Sequence, residues 1–108
     1  MTERIQLLEE YLEEDPNDPF LIYALALEYD KSGNKAKAIE LMIKLLNKHP
    51  DYLPVYYQLG KFYENSDRLK EAIHSYEKGI ILATSIGNRH AVLELQSALN
   101  ELIDNSTL

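Results

Sequence analysis

Three histidines are the side chains of this sequence best suited to acid–base chemistry or metal binding. They are His49, His74 and His90, and no two of them share a helical turn. A metal site or a catalytic base needs a second ligand or an orienting group at short spacing, and none of the three has one. His49 lies near a predicted helix C-terminus, which favours its charge, and His74 is predicted to be exposed. The sequence therefore predicts no catalytic residue, no metal and no cofactor, and we expect that the chain is not an enzyme.

The other candidate chemistry is a run of carboxylates between residues 9 and 15. Paired carboxylates can serve glycoside hydrolysis or bind divalent cations. The sequence places no second reacting group opposite this run, and a charge run usually covers a solvated helix face. We therefore interpret the run as a solvent-exposed face. Its members are Glu9, Glu10, Glu13, Glu14 and Asp15.

The acidic composition limits the partners that the chain can bind. The formal net charge is −7 at pH 7, and the 108 residues include no cysteine. Nucleic acids and anionic membrane surfaces select clustered Lys and Arg, so neither is an expected partner. Without cysteine there are no disulfides and no thiol chemistry. The N-terminus lacks a secretory pattern and no apolar run approaches about 18 residues, so we expect a cytoplasmic protein of one domain.

Apolar spacing and capping signals predict six antiparallel helices joined by short turns. Asp18, Asn34, Asp67 and Asn88 are the expected N-caps before helices two, three, five and six. Gly33 and Gly87 supply left-handed stops. The predicted helices cover residues 2–14, 19–31, 35–48, about 51–65, about 68–86, and the segment that follows Asn88.

A pattern of small and large residues occurs twice in the chain with the same internal spacing. Close packing of two helices needs small residues where the axes approach, with large residues beside them. Gly60 and Ala26 are the small residues of two first helices, and Ala72 and Ala38 those of two second helices. This spacing resembles the tetratricopeptide repeat, whose period is about 34 residues. The matching positions are Tyr56, Leu59, Gly60, Tyr63, Ala72 and Tyr76 in one copy, and Ile22, Leu25, Ala26, Tyr29, Ala38 and Met42 in the other.

The resemblance implies one all-α domain of antiparallel helix-pair repeats that form a right-handed superhelix with a concave face. Residues 1–18 are then an N-terminal capping helix, 19–52 repeat one, 53–86 repeat two, and 87–108 a C-terminal capping helix. The flanking helices depart from the pattern, since Arg4 occupies a small-residue slot and Leu93-Glu94 replaces the Leu-Gly pair. Terminal repeat units are expected to be atypical in this way.

In tetratricopeptide repeats one column of each first helix looks onto the concave groove, and this resemblance selects a candidate binding face. Tyr23 and Tyr57 occupy equivalent positions of that column in the two copies. Tyrosine gives a large contact area with little rotamer entropy, which suits peptide binding. The alternative is that Phe20, Tyr23 and Leu27 pack against the N-terminal capping helix or against each other. The predicted face comprises Phe20, Tyr23, Leu27, Tyr57, Lys61 and Leu95.

Members of the family that bind chaperone tails hold a terminal carboxylate with a clamp of Lys, Asn, Asn, Lys and Arg. None of the corresponding positions here has the required residue, so an acidic chaperone tail is not expected. The resemblance implies instead an adaptor that binds a peptide or partner segment with apolar side chains, and a basic residue towards Glu28 and Glu64. The alternative function is a homo-oligomeric assembly protein, such as a homodimer, that self-associates through its helical ends or groove. The clamp positions are Tyr23, Leu27, Gln58, Asn88 and Val92.

Overall fold

A computed structural model describes residues 2–106, and all regular secondary structure in this range is α-helical. The predicted all-α fold of about six helices is confirmed. The chain divides between Tyr52 and Leu53 into two compact units, here called unit 1 and unit 2, with three helices each. Within the described residues no helix combines the length and the apolar character needed to cross a bilayer. The helices are α1 (Thr2–Glu14), α2 (Pro19–Lys31), α3 (Lys35–Lys48), α4 (Pro54–Asn65), α5 (Leu69–Ser85) and α6 (Arg89–Ser106).

Side-chain caps start three of the helices as the sequence predicted. A side-chain oxygen of the residue before the helix accepts a hydrogen bond from a free backbone N–H of the first turn, which would otherwise lack a partner. The pairs are Asp18 with Phe20 (2.9 Å), Asn34 with Lys37 (3.1 Å) and Asn88 with Ala91 (3.0 Å).

The turn before α5 differs from the prediction that Asp67 is an N-cap. Asp67 adopts a left-handed conformation (φ +58°), and Arg68 occupies the N-cap position. Gly33 holds the equivalent position of repeat one and is also left-handed (φ +89°), so the two turns have the same backbone requirement. Aspartate tolerates this region better than most residues. Asp67 therefore shapes the turn, whereas Arg68 is held by a hydrogen bond from its Nε to Glu71 Oε2 (2.8 Å).

Helix α4 begins at Pro54, three residues later than the predicted start at Asp51. The Tyr52 N–H donates to the His49 carbonyl oxygen (3.0 Å), which places Asp51 in a turn between the two helices. Leu53 is the N-cap residue and makes no side-chain capping bond. Proline is favourable at the first helical position because the N–H that it lacks would have no partner there.

The core of unit 1 contains the small residues that the repeat pattern predicted. Ala26 and Ala38 are fully buried between α2 and α3, and Met42 lies beside them with no exposed surface. Helix α1 buries Ile5 and Leu8. The remaining buried apolar side chains of this unit are Ile22, Leu25, Leu41 and Leu45.

An ion pair also joins α1 to α2. Arg4 Nε donates to Glu28 Oε1 at 2.8 Å, and Lys31 Nζ lies 3.7 Å from the same oxygen. Glu28 is a buried carboxylate, so this pairing offsets the free-energy cost of removing its charge from water. Arg4, which the sequence placed in a small-residue slot, therefore has a polar role at that position.

In unit 2 the closest helix approach is at Gly60 on α4. A Cβ atom at this position would lie 2.6 Å from Cζ and 2.7 Å from Cδ1 of the Tyr76 ring on α5. Gly79 is similarly tight, because a Cβ there would lie 2.9 Å from Tyr56 Cβ and 3.0 Å from Leu95 Cδ1. The signature tyrosines Tyr56, Tyr63 and Tyr76 are buried as predicted.

Gly60→Ala is expected to destabilise the protein, although the same change in an open helix usually stabilises it by about 0.5–1 kcal/mol. The added methyl group overlaps the Tyr76 ring, and overpacking of this kind typically costs about 1–3 kcal/mol. The free energy of unfolding can be measured by urea denaturation followed by circular dichroism.

Repeat one provides the matched control, because its equivalent positions hold Ala26 and Met42. The double variant Gly60→Ala/Tyr76→Met should therefore lose less stability than the sum of the two single changes. Strict additivity of the two losses would contradict a direct steric coupling between these positions.

Candidate functional site

Each of the three histidines has its own surroundings. His49 Nε2 donates to the carbonyl oxygen of Asn17 at 2.7 Å and so holds the α1–α2 turn. His74 is exposed, as predicted, and His90 Nε2 lies 3.9 Å from a Glu94 carboxylate oxygen. Among residues 2–106, no three His, Asp or Glu side chains lie together in a way that could hold a metal ion.

Two members of the acidic run line a cleft of about 360 Å³ in unit 1. Glu9 and Glu13 contribute from α1, whereas α3 contributes Lys37 and Lys44. Glu9 Oε2 also accepts a hydrogen bond from the Tyr29 hydroxyl at 3.2 Å. Burial, and then the nearby Glu9 charge, raise the pKa of Tyr29. The run is thus largely exposed, but Glu9 is tied to a side chain of α2. The apolar lining consists of Leu12, Pro16, Ile22, Leu25 and Leu41.

In unit 1 the predicted binding face begins with an exposed aromatic ring. Phe20 in the first turn of α2 keeps 63% of its surface exposed. Tyr23 is half-buried, and its ring lies against Tyr52 with centroids 5.4 Å apart and planes tilted by 57°. Burial, and then the charge of Asp18, raise the pKa of Tyr52. Phe20 and Tyr23 are three residues apart, so they lie on the same side of α2.

In unit 2 the equivalent position holds Tyr57, which is also half-buried against a second tyrosine. The Tyr57 and Tyr76 ring centroids are 6.2 Å apart, with planes tilted by 53°. Lys61 lies one turn further along α4, and its Nζ is 5.5 Å from the centroid of the Tyr57 ring. A cation at this distance from an aromatic face is attracted by the ring quadrupole. The lysine therefore has a preferred position above the tyrosine ring.

Glu64 connects this surface to the core of unit 2. It accepts a short hydrogen bond from the buried Tyr76 hydroxyl, and Lys61 Nζ lies 3.6 Å from its Oε2. Burial is the main cause that raises the pKa of Tyr76, and the hydrogen bond to Glu64 and its charge raise it further. Tyr57, Lys61, Glu64 and Tyr76 thus form a continuous set of contacts from the surface to the core.

Two residues of the predicted face have less surface to offer a partner. Leu27 is half-buried. Leu95 keeps only 2% of its surface exposed and packs at Gly79, so it offers almost no surface to a partner. The glycine at position 79 leaves a space beside α5, and the Leu95 side chain fills it. The structure therefore places Leu95 in the core of unit 2.

Sequence reasoning missed the partners of two glutamates, Glu28 and Glu64. Glu28 and Glu64 were expected to attract a basic partner residue, but Arg4 and Lys31 neutralise Glu28, and Tyr76 and Lys61 contact Glu64. The expectation of a basic residue in the partner therefore loses its basis. The position of Tyr52 under Tyr23 was also missed, because Tyr52 lies outside the periodic slots.

Comparison with known proteins supports the resemblance to the tetratricopeptide repeat. The family model for the tetratricopeptide repeat matches residues 53–83. A solution structure of a tetratricopeptide repeat domain protein from Salinibacter ruber is 42% identical in sequence, with a TM-score of 0.78, over 81% of this chain and 88% of that one. A crystal structure of a tetratricopeptide repeat domain protein from the same organism is 41% identical, with a TM-score of 0.76, over 81% of this chain and 97% of that one. A solution structure of a protein from Bordetella parapertussis is 25% identical, with a TM-score of 0.81, over 94% of this chain and 88% of that one.

Tyr76 is expected to make stability fall at alkaline pH. The folded protein holds the pKa of Tyr76 above its ordinary value of about 10, so the unfolded chain releases this proton first as the pH rises. The contribution is therefore fully present below about pH 9, and it is lost progressively as the pH rises above about 10 towards the raised pKa of the folded state. At pH 7, Tyr76→Phe should destabilise by about 1–2 kcal/mol because Glu64 loses its donor.

Urea unfolding between pH 9 and pH 11 checks this expectation. The free energy of unfolding should fall more steeply for the wild type than for Tyr76→Phe. Tyr11→Phe is the matched control, since Tyr11 is an exposed tyrosine of α1, and it should follow the wild type. Equal slopes for the wild type and Tyr76→Phe would mean that the folded state does not keep this hydroxyl protonated.

Proposed function

Because the chain belongs to the tetratricopeptide repeat family, and because this fold generally mediates protein–protein interaction, we propose that it is an adaptor that binds a segment of another protein. The family is generally a non-catalytic scaffold. We propose two binding surfaces, one in each unit. They are the α2 face that carries Phe20 and Tyr23, and the equivalent α4 face that carries Tyr57 and Lys61.

The observation that carries this proposal is a tyrosine that occupies the same position in both repeats and packs its ring against a second tyrosine. Tyr23 and Tyr57 are equivalent in the two repeats, both are half-buried, and each ring is tilted against a second tyrosine. The second tyrosines, Tyr52 and Tyr76, do not correspond to each other in the repeat. A ring that is already held in place loses little conformational freedom when a ligand packs on its open side. Such rings are effective anchors in interfaces because they bury a large area.

The polar groups of this surface indicate what kind of segment it binds. Lys61 is the cation beside the Tyr57 ring, and an ammonium group has three donors, of which Glu64 can take one. A backbone carbonyl of the bound segment can accept one of the others. The chain carries a net charge of −7, which repels strongly acidic segments. We therefore propose a segment with apolar side chains for the rings and little negative charge of its own.

The test is affinity capture from native lysate with the double variant Phe20→Ala/Tyr57→Ala. It removes one anchor from each proposed face, and proteins that bind there should be lost. Interface anchors typically contribute more than about 1 kcal/mol each, so affinity for a purified captured partner should fall at least about tenfold in calorimetric titration.

The matched control is Tyr11→Ala/Ile86→Ala, which also removes one tyrosine and one large apolar side chain. Ile86 is 59% exposed, close to the value for Phe20, and neither residue lies on the proposed faces. This control should retain the same proteins as the wild type. The proposal fails if both double variants, folded by circular dichroism, capture the same proteins, or if only copies of this chain are retained.

A further inference from the structure

Helix α6 carries a third face in addition to its core face and its charged face. Glu94 and Glu101 lie on an exposed side of the helix. A separate set of four residues is spaced by three, four and three positions, and this spacing puts them on one side of a helix. We call this set the α6 stripe, and it consists of Leu93, Gln96, Asn100 and Ile103. The core face consists of Leu95, Ala98, Leu99 and Leu102.

The α6 stripe has apolar ends and an uncharged polar centre. Leu93 is 63% exposed and Ile103 is 42% exposed. Between them Gln96 Nε2 donates a hydrogen bond to Asn100 Oδ1 at 3.1 Å. Isolated exposed apolar residues need no explanation, but two of them on one stripe with an ordered amide pair form a continuous surface. Side-chain amides inside an apolar seam are a known way to fix the register of paired helices.

The stripe borders an apolar recess of about 450 Å³ between α5 and α6. Gln96 and Leu99 line it from α6, and Ile80 and Ile81 line it from α5. Ile81 keeps 70% of its surface exposed, and Glu77 lies at the solvent edge of the recess. The surface is therefore broader than one row of side chains, and it can receive the side chains of a second helix.

The order of residues along the stripe is symmetric about Ala98. Leu93 and Ile103 each lie five residues from this centre, and Gln96 and Asn100 each lie two residues from it. When two copies of α6 pack antiparallel about a two-fold axis at position 98, Leu93 of one copy meets Ile103 of the other. Gln96 then meets Asn100 in the same way. Isologous interfaces require this kind of self-complementary surface.

We propose that the α6 stripe is a homodimer interface in which two copies of this chain pair α6 antiparallel. This inference does not rest on the proposed function, because it uses no residue of the α2 or α4 faces. The charges of the helix favour the same arrangement. In an antiparallel pair, Arg89 at the start of one α6 comes within about one helical turn of Asp104 on the other. The helix dipoles are also opposed in this arrangement.

The net charge explains why the stripe, rather than another surface, suits a second copy. Two chains that each carry −7 repel one another, so an uncharged row of side chains favours pairing more than a row of carboxylates does. Leu93, Gln96, Asn100 and Ile103 contain no ionisable group. Glu94 and Glu101 lie outside the stripe and stay in water in the antiparallel pair.

A charge-exchange series tests the pairing by sedimentation equilibrium over a range of protein concentrations. The wild type should approach twice its monomer mass of 12.5 kDa as concentration rises. Leu93→Lys and Ile103→Glu should each raise the dissociation constant at least about tenfold, because each places a charge opposite an apolar side chain. Leu93→Lys/Ile103→Glu should recover dimerisation, because the two new charges then meet across the axis.

The matched control for this series is Ile43→Lys on α3, since Ile43 is also 42% exposed and lies in unit 1. It should dimerise as the wild type does. The proposal is overturned if the wild type stays monomeric at all concentrations, if the single variants dimerise normally, or if the double variant does not recover.

Disulfide cross-linking tests the register separately and does not depend on the charged variants. The chain has no cysteine, so an introduced thiol is unique. An equimolar mixture of Gln96→Cys and Asn100→Cys should give a cross-linked dimer, because these positions face each other in the proposed pair. Either variant alone should cross-link much less, because the same position in the two copies is displaced by about 6 Å along the helix axis. Efficient cross-linking of either variant to itself would overturn the antiparallel register.

Discussion

The close approach of α4 and α5 at Gly60 is the constraint on which unit 2 depends. The space beside this glycine is occupied by the Tyr76 ring, so the ring is fixed in the core and its hydroxyl is removed from water. A buried hydroxyl needs an acceptor, and Glu64 provides it. Glu64 also holds Lys61, and Lys61 lies over the Tyr57 ring. A packing requirement in the core therefore determines where the charge and the aromatic ring of the surface lie.

The two units satisfy the same packing requirement with different residues. Unit 1 has Ala26 and Met42 where unit 2 has Gly60 and Tyr76, so a slightly larger small residue is matched with an unbranched, flexible side chain. Only unit 2 consequently has a buried hydroxyl at this position. Of the polar set Lys61, Glu64 and Tyr76, only Glu64 has a polar counterpart in unit 1, because the three equivalent positions hold Leu27, Asp30 and Met42, although Tyr23 and Tyr57 are equivalent. The repeat thus keeps the aromatic ring and varies the polar groups around it.

The sequence predicts well those features that depend on spacing along one helix or on a fixed repeat. The buried alanines, the caps at Asp18, Asn34 and Asn88, and the helical fold all follow from local rules. The sequence does not predict features that depend on pairs of residues far apart in the chain. The Arg4–Glu28 pair joins residues 24 positions apart, and nothing in the local pattern marks a glutamate as buried. Leu95 was misplaced for the same reason, because its position depends on the missing Cβ of Gly79 on another helix.

The distribution of charge connects the two surfaces for which we propose partners. In an acidic chain the exposed carboxylates keep the surface hydrated and repel other acidic molecules. Phe20 on α2 and Leu93 on α6 are each 63% exposed. Leaving such side chains in water gains nothing for folding, since it leaves their apolar surface unburied. Exposed apolar residues that are grouped on a helix favour association with another molecule. The two kinds of surface differ. The α2 and α4 faces present tyrosine rings that pack on a second tyrosine, together with a lysine, whereas the residues of the α6 stripe are arranged symmetrically about position 98. The first suits a different protein, and the second suits a copy of the same one.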